Sequence, residues 1–153
     1  MGEIMTPSSR LYNFLSKLEN FRARSYICPG GEKTIGYGHV IEKEEKIKEP
    51  ITTFQAMGML EKDIIQASNA VNKYIKYDLN QDQFDSLVSF VFNVGIGAFS
   101  KSTLRKVINR GELDRVTDEL MRWTKGNKPR RVIPGLVRRR LVEAEWFNGK
   151  APT

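Results

Sequence analysis

The sequence predicts an α+β fold in which helices dominate and the β-structure is confined to one early stretch. Three observations predict it. Residues 24–41, RSYICPGGEKTIGYGHVI, are rich in Tyr, Ile, Thr and Val and are broken by a Pro-Gly-Gly cluster, the pattern of a hairpin with a third short strand. On both sides of that stretch, apolar residues recur at helical spacing. The 153 residues, 40% of them apolar, are one domain's worth and can hide enough surface to fold without metal or disulfide staples.

Leu11, Phe14, Leu15 and Leu18 follow the i, i+3, i+4, i+7 spacing of a first helix that runs to about Glu19, with Ser8 or Ser9 placed to cap its free amides. After the hairpin, residues 42–49, EKEEKIKE, read as a solvated loop or edge. Thr52 or Thr53 then opens a pattern through Met57, Leu60, Ile64, Ile65, Ala67, Val71 and Ile75, long enough for a helix that links two lobes. Asn80 with Gln83 resembles a capping box ahead of Phe84, Leu87, Val88, Val91 and Phe92, which predict a buried central helix closed by Gly95 and Gly97. Shorter amphipathic segments follow at about 101–109, with Gly111 as the stop, and at 113–124. Pro134 opens a last helix through Leu136, Leu141 and Phe147, with Gly149 beyond its end.

The net charge of +7 is carried by residues 101–153, which hold 14 basic and 6 acidic residues, against 11 and 12 in residues 1–100. Arg122, Lys125, Lys128, Arg130, Arg131, Arg138, Arg139 and Arg140 share a stretch without a carboxylate between Leu120 and Val142, which predicts an anion-facing surface. One cysteine, Cys28, excludes a disulfide-stapled scaffold. No run approaches the roughly 20 apolar residues of a membrane span, and MGEIMTPSS lacks the features of a signal peptide, so a cytoplasmic protein without a membrane anchor is expected. The first six residues match Met-Gly-x-x-x-Thr, a permissive acylation pattern with no second anchor beside it.

Three residues could meet at one place. Glu19 ends the first helix, where the carbonyl end of the helix dipole disfavours negative charge, a condition that suits a general acid. Cys28 ends the first strand, and Thr34 begins the return strand after a five-residue loop, so the two can be cross-strand neighbours. Taken one at a time they have blander readings: a solvated helix end, a small core residue, a strand former.

The spacing Glu19-x8-Cys28-x5-Thr34, running into Thr34-Ile35-Gly36-Tyr37-Gly38-His39, resembles the phage-type lysozymes of glycoside hydrolase family 24. So do residues 90–95 (FVFNVG), residues 99–105 (FSKSTLR), and the run from Arg122-Trp123 through residues 127–133 and Gly135-Leu136 to Arg138-Arg139. The resemblance spans about residues 9–147. It implies a two-lobed lysozyme-like fold forming one catalytic domain over 1–153, with a small lobe at about 20–52, a helical lobe at about 75–150 plus the N-terminal helix, and a cleft between them. It implies a muramidase that cuts the β-1,4 bond between N-acetylmuramic acid and N-acetylglucosamine in peptidoglycan, with no metal and no cofactor. By analogy, Glu19 protonates the glycosidic oxygen while Cys28 and Thr34 hold or activate a water on the opposite face. The family more often has Asp where this chain has Cys28. An ordinary thiol is only a few per cent thiolate at neutral pH, whereas an Asp is ionised. Cys28 can therefore be a weak base, a water positioner or a nucleophile that gives retention, or Glu19 can serve alone while the sugar's own 6-hydroxyl attacks, as in lytic transglycosylases. Oxidation of Cys28 is a further candidate off-switch.

Matching positions also name Val40, Phe92, Asn93, Ser102, Lys128 and Arg131 as candidate substrate contacts. Asn93 is favoured because its amide can donate and accept towards an N-acetyl group, whereas Phe92 is equally a core residue. Lys128 or Arg131 is expected to pair with Glu19, and His39 is expected to be structural. By family analogy the setting is a phage or prophage endolysin, monomeric by default, held in the host cytoplasm until a holin opens the membrane. An inactive wall-binding relative is one rival. A nucleic-acid binder using the basic stretch with Trp123 and Trp146 is another, though no helix-turn-helix, zinc or aromatic-sheet signature accompanies the charge.

Overall fold

The computed structural model describes residues 3–126 and 130–153. Helix α1 (Ser9–Glu19) buries Leu11 and Leu15. Ser8 sits at its N-cap but does not cap it: the Ser8 N–H and hydroxyl both donate to Asp85, which ties the start of α1 to a neighbouring helix instead. The chain then forms the expected small sheet, antiparallel in the order β1 (Arg22–Ile27), β2 (Lys33–Gly36), β3 (His39–Val40). Tyr26 faces Thr34 across the first pair and Ile35 faces His39 across the second.

The acidic loop that follows is anchored as well as solvated. Glu49 accepts the Ser25 N–H at 2.7 Å and the Ser25 hydroxyl at 2.8 Å, and Glu45 reaches His39 at 2.9 Å. Helix α2 (Thr53–Tyr74) opens with a capping box between Thr52 and Gln55. Its 22 residues span roughly 33 Å, and that length lets it serve two cores. Ala56 packs with Ile35 and Ile51 under the sheet, while Leu60, Ile64, Ala67 and Val71 join the larger core. Met57 and Ile65 are 40% and 46% exposed, because the apolar pattern of α2 is wider than the face it buries.

The Asn80–Gln83 capping box is present and starts α3 (Gln81–Val94), whose Phe84, Leu87, Val88 and Phe90 are buried in the centre of the larger core. Burial of each such side chain is worth roughly 1.5–3 kcal/mol. Gly95, at φ +97°, closes α3, but Gly97 does not, since the chain re-enters a helix at α4 (Ile96–Ser100). There follow α5 (Thr103–Asn109), a 3-10 turn at Leu113–Arg115, α6 (Val116–Met121) and α7 (Pro134–Phe147). Residues 113–124 are thus a shorter helical segment than the pattern predicts. The inward face of α7 is also partly polar: Leu141 is 45% exposed, whereas Arg139, Arg140 and Glu143 are buried beside Ala144, Trp146 and Phe147.

Candidate active site

Glu19 is the last residue of α1, and Asn20 behind it adopts a positive φ of 52° that turns the chain into β1. Its carboxylate is held from two sides. Arg139 Nη1 donates to Glu19 Oε2 at 2.9 Å. On the other side lies Gly38 in the β2–β3 turn, at φ +73°, where a Cβ would fall 2.6 Å from Glu19 Oε1. Only glycine tolerates both that backbone conformation and that approach. The cation on Glu19 is therefore Arg139 on α7, not Arg131, and the helix end is not the whole field at the carboxylate.

Arg139 is fixed by a buried network. Its Nε donates to Glu143 Oε2 at 3.2 Å and its Nη2 to the Ser89 carbonyl at 3.0 Å. Ser89 Oγ donates to Glu143 Oε2 at 2.7 Å, and Arg140 donates to Glu143 Oε1, to Asn93 Oδ1 and to the Trp123 carbonyl. The Arg140 guanidinium also lies 4.9 Å from the centre of the Phe90 ring. Two carboxylates and two guanidinium groups balance in charge, which is how Arg139 and Arg140 can be 7% and 1% exposed. This removes both from the anion-facing surface that the basic stretch predicts. Arg122 leans on Glu119 at 3.3 Å yet stays exposed, as do Lys125, Arg130, Arg131 and Arg138.

Cys28 lies one residue past β1, but the pairing continues through its N–H, which donates to the Glu32 carbonyl at 2.9 Å. Its Sγ is 3.1 Å from Thr34 Oγ1. Thr34 stands opposite Tyr26 rather than Cys28, so thiol and hydroxyl meet as diagonal neighbours. Thr34 Oγ1 also reaches the Glu32 carbonyl at 3.3 Å; when it donates there, it accepts from the thiol. Tyr26 lies in the electrostatic field of both Cys28 and Glu19. Its phenol is pushed above its ordinary value by burial first, then by charge on Cys28 and on Glu19, with Arg22 opposing. Thiol and hydroxyl thus form a contacting pair at the edge of the sheet, and the carboxylate of Glu19 is in contact with Gly38 and Arg139.

A cleft of about 770 Å³ is lined by Gly38, His39, Val40, Asp63, Phe92 and Ile96 among others; Glu19, Cys28 and Thr34 do not line it, and Gly38 is its link to Glu19. Val40, 41% exposed, and Phe92 are therefore on the cleft wall, and Phe92 packs on the core as well. His39 is clamped between Asp63 at 2.7 Å and Glu45 at 2.9 Å. Its pKa is raised to about 9 chiefly by the hydrogen bond to Asp63, against burial, with Glu45 adding to the rise. It stays charged at neutral pH and ties β3 to the loop and to α2, a structural role.

The remaining candidates lie elsewhere. Asn93 is exposed beside Phe92, does not line the cleft, and has its Oδ1 committed to Arg140. Ser102 is 4% exposed and caps α5, accepting the Arg105 N–H at 3.1 Å and donating to the Phe99 carbonyl at 2.7 Å, so it is not presented to the cleft. Arg131 is exposed next to Val132, which pairs with Lys125 in an isolated antiparallel bridge. Lys128 lies outside the described residues. Sequence reasoning did not single out Gly38, Tyr26, Arg139 or Glu143 as site residues. One signal was available: Glu143 is the first carboxylate after the basic stretch and stands i+4 from Arg139 and i+3 from Arg140, the spacing of helical ion pairs.

Residues 16–143 match the phage lysozyme family model. The chain is 38% identical over 135 residues to an endolysin of Acyrthosiphon pisum secondary endosymbiont phage 1, covering 87% of this chain and 91% of the relative. It is 38% identical over 142 residues to an endolysin of Bacillus phage PZA, covering 92% of this chain but only 54% of that longer protein. The fold superimposes on the endolysin of Escherichia coli O157:H7 phage FAHEc1 with a TM-score of 0.86 at 30% identity, over 100% of both chains. Sequence match, relatives and three-dimensional likeness agree with one another: the chain belongs to the phage lysozyme family and has its α+β lysozyme-like fold.

Proposed function

We propose that this endolysin hydrolyses the β-1,4 bond between N-acetylmuramic acid and N-acetylglucosamine in bacterial peptidoglycan and so lyses the host cell. What supports the reading is a Glu19 carboxylate fixed by Arg139 and Gly38, with Gly38 also lining an open cleft, together with a thiol and a hydroxyl, Cys28 and Thr34, 3.1 Å apart on the neighbouring sheet. Glu19 gives a proton to the glycosidic oxygen as the bond to the sugar breaks. Arg139 holds the carboxylate, and Glu143 shares the charge of that arginine. Cys28 and Thr34 orient a water towards the anomeric carbon, which leaves a reducing end. Val40, Phe92 and Asn93 contact the glycan, and Lys128 and Arg131 attract the anionic wall. No metal or cofactor takes part. The 153 residues act as one catalytic domain, monomeric, reaching the wall from the host cytoplasm once a holin has opened the membrane. Among the described residues no helix is long and apolar enough to cross a membrane.

Mass spectrometry of fragments released from purified peptidoglycan by wild type, Glu19→Gln and Cys28→Ser tests this. Reducing muramic ends that disappear in Glu19→Gln are expected. Anhydro ends would replace hydrolysis with transglycosylation, and no fragments would leave a wall-binding protein. A Cys28→Ser variant that keeps the wild-type rate would reduce the thiol to a space-filling role.

A further inference from the structure

We propose that Gly58 on α2 is a glycan-binding residue: its bare backbone is the floor on which a neutral N-acetylhexosamine ring of the substrate rests, away from the bond that Glu19 serves. The inference rests on the reading of Glu19 above and extends it along the cleft. Gly58 lies in the interior of α2, where glycine is worse than alanine because it loses more chain entropy on folding. Neither of the usual reasons for a glycine applies. Its backbone is helical, without the positive φ of Gly36, Gly38 or Gly95, and an added Cβ would meet nothing within 4 Å. Gly58 does line the cleft, together with Gln55, Met59, Lys62 and Gln66, which stand at i, i+3, i+4, i+7 and i+11 spacing on one face of the helix. A side chain at position 58 would therefore take room from the cleft and from no neighbouring residue.

The chemistry of this wall suits a sugar ring better than a stem peptide. The charged residues lining the cleft are Glu42, Glu45 and Asp63 against Lys62 and His39, whose pKa of about 9 keeps it protonated, so three negative charges face two positive ones and peptide carboxylates are not drawn in. Glu45 and Asp63 are moreover engaged with His39, at 2.9 Å and 2.7 Å. Gln55 and Gln66 bring amides that match the hydroxyl and acetamido groups of a sugar; Thr52 holds the oxygen of Gln55 at 2.8 Å, which leaves its nitrogen end as the donor. Met59 and Phe92 add apolar surface for the C–H face of a ring. Gly38 lines the same cleft and touches Glu19, so the cleft leads from the carboxylate to α2.

The test uses the full-length protein with Gly58→Ala and Gly58→Leu, both better helix formers than glycine. Gly58→Ala is expected to melt about 2–4 °C above wild type. For purified peptidoglycan, its KM rises about fivefold with kcat within about twofold, and Gly58→Leu, which fills more of the cleft, raises KM further. A melting temperature that falls assigns Gly58 to packing, and a KM that stays at the wild-type value in both variants leaves nothing resting on it; either result overturns the proposal. Calorimetric titration of Glu19→Gln and of Glu19→Gln/Gly58→Ala identifies the occupant. The probes are soluble glycan strands carrying their stem peptides and the same strands stripped of peptide by an amidase. Binding weakened about fivefold for both strands is expected. A loss confined to the peptide-bearing strands puts the stem peptide on α2, and no loss with either strand leaves the wall empty; both outcomes overturn the sugar. An active enzyme whose KM ignores Gly58 retires this residue alone. A wild type that releases no fragments retires the catalytic reading, and the titrations, which need no turnover, still decide Gly58.

Discussion

Gly38→Ala, compared with Gly36→Ala, separates the placement of Glu19 from the stability of the fold. Both glycines have left-handed backbones, at φ +73° and φ +68°, so alanine at either costs about 1–2 kcal/mol before any contact is counted. What the new methyl meets differs. At position 36 it lies 3.2 Å from Ala56 Cβ and 3.4 Å from Ile51 Cδ1, in the core under the sheet, which adds roughly 1–3 kcal/mol of overpacking. At position 38 it lies 2.6 Å from Glu19 Oε1, and reaching the 3.4 Å where ordinary contact begins requires a retreat of about 0.8 Å. The far end of a glutamate normally gives way at little cost. Here the other carboxylate oxygen is held at 2.9 Å by an arginine that is itself buried and paired, so the retreat strains that ion pair or rotates the carboxyl. A displacement near 1 Å at a reacting group costs about 10²-fold in rate. Urea unfolding should rank Gly36→Ala as the less stable variant. Release of reducing ends from peptidoglycan, measured below both melting temperatures, should rank Gly38→Ala as less active by about 10²-fold. A folded Gly38→Ala within threefold of wild type, or a Gly36→Ala that loses as much activity, would refute the claim that Gly38 exists to seat Glu19.

The His39 clamp makes stability depend on pH. Its folded pKa of about 9 lies above the ordinary 6.5, so its contribution is complete below pH 6.5 and is lost as pH rises through 9. The amount is at most about 3 kcal/mol. Glu45 shifts downward: burial opposes the shift, but the Glu42 N–H and His39 outweigh it, so its share is present above about pH 4.5 and lost as pH falls through its lowered value. Urea midpoints from pH 4 to 10 should therefore peak between these limits and decline towards pH 9, and His39→Asn should flatten the alkaline decline; a wild type flat from pH 6 to 9 contradicts the clamp. Glu143→Gln leaves Arg139 and Arg140 buried without their shared carboxylate and should cost about 3–5 kcal/mol by calorimetry, with a loss under 1 kcal/mol speaking against the network. Ser102→Ala removes the α5 cap and should cost about 1 kcal/mol while leaving KM for peptidoglycan unchanged, and a raised KM would return Ser102 to the glycan-contacting set.

The elements were legible because local chemistry decides them. The Thr52 and Asn80 caps, the Pro-Gly-Gly hairpin, Pro134 at the start of α7 and Gly95 at the end of α3 act within a few residues, and spacing alone brings Cys28 within reach of Thr34. What spacing could not decide is which of eight arginines and lysines meets Glu19, because 120 residues separate Glu19 from Arg139 and only the packing of α7 against α3 brings them together. The same packing turns Arg139 and Arg140 inward, although a basic run on a helix reads as solvated. Their burial depends on Glu143 and Ser89, whose closeness is a tertiary fact. Gly38 shows the division most plainly. A glycine at residue 38 is free to adopt a left-handed turn whatever surrounds it, whereas the filling of the space left by its missing side chain with the carboxylate of Glu19 is a product of packing, because two segments must pack before one can exclude the other.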